Sequence, residues 1–171
     1  MSQFAAYNSH NYVVLCPPHL LLTDFDRFKS IDNFFMGSQN VSEFTNGAFT
    51  GEISAEMLAD NKIFYSIVGH SERRTLLAET NEKINIKIKQ LVSHNIIPIL
   101  CIGENLEQRD TNTFKQIIDF QLEKAFKNIK IYDQTIIIAY EPIWSIGTGL
   151  IPNNPDLLKN IIFIKNFLKK L

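Results

Sequence analysis

Short apolar runs alternate with stretches of helical period along this chain, always in the same order, and few folds accommodate that alternation. The runs occupy residues 12–16, 34–36, 63–68, 96–102 and 135–140. Most read as strands buried on both faces: they are rich in Val, Ile and aromatic residues without strict alternation, the pattern of a parallel sheet covered by helices. Between them, Ile84, Ile88, Leu91 and Val92 recur at helical spacing within residues 80–95, leaving Lys83, Lys87 and Lys89 to face water. Phe114, Ile117, Ile118, Leu122 and Ala125 form a second stripe, and Leu157, Ile161, Ile164 and Leu168 a third. The third helix has a start signal: Asn154 caps it and Pro155 occupies its first position, where no useful hydrogen bond is lost. Weaker helices are expected over residues 20–30 and 54–61. Each strand must return to the sheet through a right-handed crossover, so an α/β parallel sheet or barrel of about five strand-helix units follows. No linker, low-complexity tract or longer repeat interrupts residues 1–171, which read as one domain.

Composition narrows the partners. Seventeen Lys and Arg against eighteen Asp and Glu leave a formal charge of -1, so no basic surface for a phosphate backbone, and no nucleic-acid partner, is expected. No apolar run approaches the roughly 20 residues of a membrane span, and the polar residues 1–11 lack the basic and apolar regions of a secretory signal. The expectation is a cytoplasmic protein without a membrane partner. Cys16 and Cys101 each sit in an apolar run, as packed, reduced thiols do. No Cys or His pair has metal-ligand spacing, so no metal is expected; no cofactor is expected either.

Loops that follow strands share one face of such a fold, where ligands bind. The unusual polar residues gather there: Gln39 and Asn40, the run from Gly69 to Arg74, Gly103 and Glu104, and Glu141. His70 at a strand end can donate to a carbonyl oxygen if neighbouring amide dipoles keep it neutral, or it can simply be satisfied by backbone. Glu141, directly before Pro142 on a stiff segment, suits a general base; a capping or ion-paired Glu is the alternative. The stretch Ser145-Ile146-Gly147-Thr148-Gly149-Leu150 allows close backbone approach to an anion, or is an ordinary loop. Arg73 and Arg74, with Glu72 and Glu104, either bind anions or form ion pairs that hold the loops. His10, His19 and His94 read as surface or packing residues.

Four of these segments are long enough to carry a resemblance. Gly47-Ala48-Phe49-Thr50-Gly51-Glu52-Ile53-Ser54-Ala55-Glu56-Met57-Leu58, Gly69-His70-Ser71-Glu72-Arg73-Arg74, Pro98-Ile99-Leu100-Cys101-Ile102-Gly103-Glu104 and Ala139-Tyr140-Glu141-Pro142-Ile143-Trp144-Ser145-Ile146-Gly147-Thr148-Gly149 resemble the triosephosphate isomerase family in order and spacing. Pro17-Pro18 and Gln39-Asn40-Val41-Ser42 extend the match. The resemblance implies a TIM (β/α)8 barrel, here incomplete, and an isomerase of glycolysis and gluconeogenesis interconverting glyceraldehyde 3-phosphate and dihydroxyacetone phosphate through an enediolate. In that family a glutamate base acts beside a neutral histidine, so these roles come with the resemblance: Glu141 shuttles the proton, and His70 polarises the carbonyl. It implies further that Gly147 holds the substrate phosphate through its amide, that Ser71 and Glu72 support the site, that residues 142–144 form the first hinge of a lid, and that the Thr50 loop reaches a second subunit in a homodimer. Leu150-Ile151-Pro152 departs from the family's second hinge, and no Asn-x-Lys segment stands before Tyr12. The family's last two strands, which supply a serine and a glycine pair to the phosphate site, have no counterpart before Leu171. Such a five-unit arc, taken alone, is expected to be impaired in catalysis, the alternative being a non-catalytic remnant or a phosphate-binding, dimerising module of the same ancestry.

Overall fold

A computed structural model describes residues 12–27, 32–130 and 134–170. Its five strands are parallel and neighbour one another in chain order, β1 (Val13–Leu15), β2 (Phe34–Ser38), β3 (Tyr65–Val68), β4 (Ile97–Ile102) and β5 (Ile137–Tyr140), forming an incomplete TIM barrel. The described residues fall into two compact units, one within 1–68 and 86–99, the other within 69–85 and 100–171.

In the first unit, Val13, Val14 and Leu15 of β1 stand opposite Phe34, Phe35 and Met36 of β2, and Gly37 and Ser38 opposite Tyr65 and Ser66 of β3. The ladder continues where Ile97 N–H donates to Phe64 C=O at 2.8 Å. Helix α1 (Ala55–Asp60) starts where the Ser54 hydroxyl accepts from Met57 N–H, and it buries Ala55 and Leu58. Met36, Val41, Ile63, Ile88 and Leu91 are among the core residues of this unit. Burying each such side chain contributes roughly 1.5–3 kcal/mol.

The second unit joins the end of β4 to β5, with Glu141 N–H donating to Ile102 C=O at 2.8 Å. Its helices are α2 (Ser71–Leu76), the start of α3 (Asn81–Ser93), α4 (Leu106–Asp110), α5 (Phe114–Ala125) and α6 (Asn154–Leu168). Leu100, Ile102, Ile118 and Leu122 are fully buried here. Asn85 ties the end of α5 in place, its amide donating to Ala125 and Lys127 C=O at 2.8 and 3.0 Å.

Several expectations need correction. Strands β1 and β5 are not buried on both faces, since Val13, Leu15 and Ile137 are each about two-fifths exposed. Each is outermost in the strand order of the described residues, so only one side is paired. Lys87 does not face water: its amine is buried and donates to Asn40 Oδ1 at 2.8 Å, which satisfies the charge that the helical period alone would send outward. Helix α6 is capped by Asn153, not Asn154, because the Asn153 side chain accepts from Asp156 N–H. The weak helix over 20–30 is a 3-10 segment, His19–Arg27, and residues 28–31 lie outside the described part, as does His10. His19 and His94 hydrogen-bond the carbonyls of Asn40 and Gln90, as packing histidines do. Helix α4 was not signalled by its hydrophobic pattern; it rests on a capping box between Asn105 and Gln108.

Candidate active site

The second unit brings His70, Ser71 and Glu141 together. His70 ends the loop after β3 and caps α2, where Glu72 N–H donates to His70 Nδ1 at 3.4 Å. A ring nitrogen that accepts cannot carry the ring proton, so Nε2 is the donor. His70 Nε2 lies 3.2 Å from Glu141 Oε1, and Ser71 N–H donates to Glu141 Oε2 at 3.2 Å. The carboxylate is therefore held at both oxygens, one by an imidazole and one by the first amide of a short helix.

Glu141 owes its place to β5 and to Pro142. Its backbone is pinned to β4 at Ile102, and Ile143 N–H donates to Glu104 C=O at 3.0 Å. Pro142 leads into a 3-10 turn, Ile143–Ser145. Gly103 stands against Glu141 so closely that a Cβ there would lie 1.7 Å from the Glu141 carbonyl oxygen.

The neighbouring charges are bound into the framework. Arg73 pairs with the buried Glu79 at 2.7 Å rather than with Glu72 or Glu104. Arg74 Nε donates to Gly69 C=O at 2.6 Å, Nη1 to Asn81 Oδ1 at 2.6 Å and Nη2 to Cys101 C=O at 3.1 Å. Burial draws the Arg74 guanidinium below its usual range, while Glu79, Cys101 and Glu141 act the other way. The arginines thus hold loops, and their partners differ from Glu72 and Glu104, the two carboxylates expected on the same face. Burial pushes the Cys101 thiol well up, and the Glu141 charge adds to the effect, so Cys101 is a protonated packing thiol.

Glu104, nearly fully buried, accepts from Tyr140 Oη at 3.0 Å and from Trp144 Nε1 at 2.8 Å. Asn160 Nδ2 donates to Tyr140 Oη at 2.9 Å, and the Arg109 guanidinium lies 3.9 Å above the Trp144 ring. Burial raises the Tyr140 phenol, helped by the Glu104 charge. A cleft of about 500 Å³ runs beside this network, and its lining includes neither His70 nor Glu141.

Gly147 lies in the exposed loop that follows, with φ 70° and open space where a side chain would stand. That backbone conformation favours glycine, and the open space leaves its backbone accessible. Glu72 is exposed, its Oε2 3.8 Å from His70 Nδ1. Thr50 is exposed and belongs to the first unit, in a loop where the Phe44 and Phe49 rings stack at 4.1 Å. Sequence reasoning missed Gln121, which is buried and hydrogen-bonds Gly103 at two points. Its signal was a polar residue on the apolar stripe of α5. Among the described residues no group of three His, Cys, Asp or Glu side chains is placed to hold a metal, and no helix is long and apolar enough to cross a membrane.

A carboxylate held against an imidazole stands here where parallel strands end, the end of the sheet at which α/β-barrel proteins gather their polar loop residues. Comparison with known proteins narrows the class. The triosephosphate isomerase family model matches residues 1–171. The triosephosphate isomerase of Finegoldia magna is 45% identical over 141 residues, covering 81% of this chain and 56% of that protein. That of Clostridium botulinum strain Loch Maree is 39% identical over 160 residues, covering 93% and 64% respectively. That of Mesomycoplasma hyorhinis is 45% identical over 121 residues, covering 71% and 49%. This chain belongs to the triosephosphate isomerase family, and it spans about half to two thirds of the length of these relatives.

Proposed function

We propose that the chain carries the proton-transfer centre of a triosephosphate isomerase interconverting glyceraldehyde 3-phosphate and dihydroxyacetone phosphate. The observation that carries this reading is the pairing of Glu141 with both His70 Nε2 and Ser71 N–H, each at 3.2 Å. The Glu141 carboxylate leaves those partners, takes a proton from the carbon next to the substrate carbonyl and later returns it to the adjacent carbon. The carbon's electron pair becomes the enediolate double bond, and the carbonyl electrons move onto oxygen, where His70 Nε2–H donates. Gly147 donates its amide to the phosphate, while Ser71 and Glu72 hold the resting positions of the base and the imidazole. The Trp144–Glu104 bond anchors the first hinge of a lid over residues 145–149.

The same reading makes the reaction a step of glycolysis and gluconeogenesis in the cytoplasm, needing no cofactor, and makes residues 1–171 a single partial barrel domain. It also makes a second copy of the chain the partner of the Thr50 loop, supported by the exposed Phe44–Phe49 stack, and leaves nucleic acid out on the near-neutral charge.

The test is proton exchange. Incubated with dihydroxyacetone phosphate in deuterated water and followed by NMR, the chain exchanges the carbon-bound proton faster than buffer, and Glu141→Gln removes the excess. His70→Gln slows it by about 100-fold or more, the scale of general acid–base catalysis. Exchange that is absent from the wild type, or unchanged in Glu141→Gln, overturns the assignment.

A further inference from the structure

Gln121 stands on the apolar stripe of α5, three residues after Ile118 and directly before Leu122, both fully buried. An amide placed there is costly unless both its ends are satisfied. Here they are, by a single residue: Gly103 N–H donates to Gln121 Oε1 at 3.0 Å, and Gln121 Nε2 donates to Gly103 C=O at 2.9 Å. One side chain thus fixes the backbone of Gly103 at two points, as a neighbouring strand would. Gly103 in turn lies against the Glu141 carbonyl, between the Ile102 and Glu104 carbonyls that accept from Glu141 and Ile143. At the far end of that short chain of contacts stands the Glu141 carboxylate against His70 and Ser71.

We propose that Gln121 is a positioning residue, whose carboxamide sets where the end of β5, and with it the Glu141 carboxylate, stands relative to His70 and Ser71. It acts through Gly103. Its catalytic consequence rests on the reading of Glu141 as the base; its structural consequence does not. Methionine has nearly the same length and fills the same space, but leaves both backbone groups of Gly103 without their partner, so the strand end must move to find another. Glutamate reproduces the amide only while protonated. A neutral carboxyl both accepts and donates, whereas a carboxylate cannot donate to the Gly103 carbonyl.

The experiment compares the wild-type chain with Gln121→Met and Gln121→Glu, reading hydrogen exchange at Ser71 N–H, a group on α2 that hydrogen-bonds Glu141 and not Gln121. In Gln121→Met, Ser71 exchanges about tenfold faster or more, while the α5 amides stay within about twofold of wild type, as a local rather than global opening requires. In Gln121→Glu, Ser71 protection matches wild type near pH 5 and falls to the methionine level by about pH 8, because burial raises a carboxyl into that range. Unchanged Ser71 exchange in the methionine variant, or equal loss at Ser71 and along α5, overturns the proposal. If the methionine variant does not fold, the pH dependence of Gln121→Glu relative to wild type decides alone, and its absence overturns the proposal. In the proton-exchange assay the methionine variant lowers the turnover rate about tenfold with the substrate concentration for half-saturation within about twofold. A wild type without turnover refutes Glu141 as the base, and the Ser71 measurement still judges Gln121.

Discussion

Adding one methyl group at Gly103 tests how the end of β5 is built. The Cβ of Gly103→Ala would lie 1.7 Å from the Glu141 carbonyl oxygen and 2.8 Å from its carbon, against 3.4 Å for ordinary contact. Both obstacles are backbone, so no side-chain rotation relieves them, and the strands must part by about 1.7 Å. That displacement gives up two hydrogen bonds, Glu141 N–H to Ile102 and Ile143 N–H to Glu104. Each costs about 1 kcal/mol when exchanged for water and up to about 3 when left unmade. Strain in an overpacked site adds roughly 1–3 kcal/mol. The variant should lose about 3–9 kcal/mol, a large part of the whole stability of a domain this size. Gly37→Ala provides the control. Its Cβ would meet Cys16 Sγ at 2.7 Å and the Tyr65 and Val14 side chains at 3.1 and 3.2 Å. The closest of these is the end of a side chain that can turn away, so about 1 kcal/mol is expected. Urea unfolding followed by circular dichroism measures both variants. A Gly103→Ala protein within about 1 kcal/mol of wild type, or no less stable than Gly37→Ala, would refute the reasoning.

Arg74→Lys keeps the charge but cannot span Gly69, Asn81 and Cys101 at once. It should cost about 2–4 kcal/mol in urea unfolding, and a loss below about 0.5 kcal/mol would show that the three contacts are dispensable. Alkaline pH should also destabilise the fold. The Cys101 and Cys16 thiols and the Tyr140 phenol all have folded pKa values raised by burial. Their contribution is complete below the ordinary thiol value of 9.0 and is lost as pH rises from there toward the folded values, since the unfolded chain releases those protons first. Thermal unfolding should therefore hold steady through neutral pH and decline above about pH 9, less steeply in Cys101→Ala. An equal decline in that variant would remove Cys101 from the account.

The parts of this molecule that were legible in its sequence are those whose cause is local. The apolar runs predict the strands to within a few residues because burial selects Val, Ile and aromatic side chains at consecutive positions, as in Ile97–Ile102. His70 and Glu141 stand out because titratable side chains follow two apolar strands on the face where ligands bind, and the structure brings the two within 3.2 Å. What escaped is pairwise and distant. Lys87 looks like a solvated helix lysine until Asn40, 47 positions away, accepts from its amine. The arginines seem destined for Glu72 and Glu104, yet Arg73 finds Glu79, Arg74 is spent on backbone carbonyls and Glu104 on Tyr140 and Trp144. Glu104 and Gln121 share a logic here. A buried polar group must be satisfied, so an acid or an amide lodged among apolar positions implies a partner of matching hydrogen-bond type without saying which. Periodicity can therefore flag Gln121 as constrained, but only the crossing of α5 behind Gly103 shows that the constraint reaches Glu141.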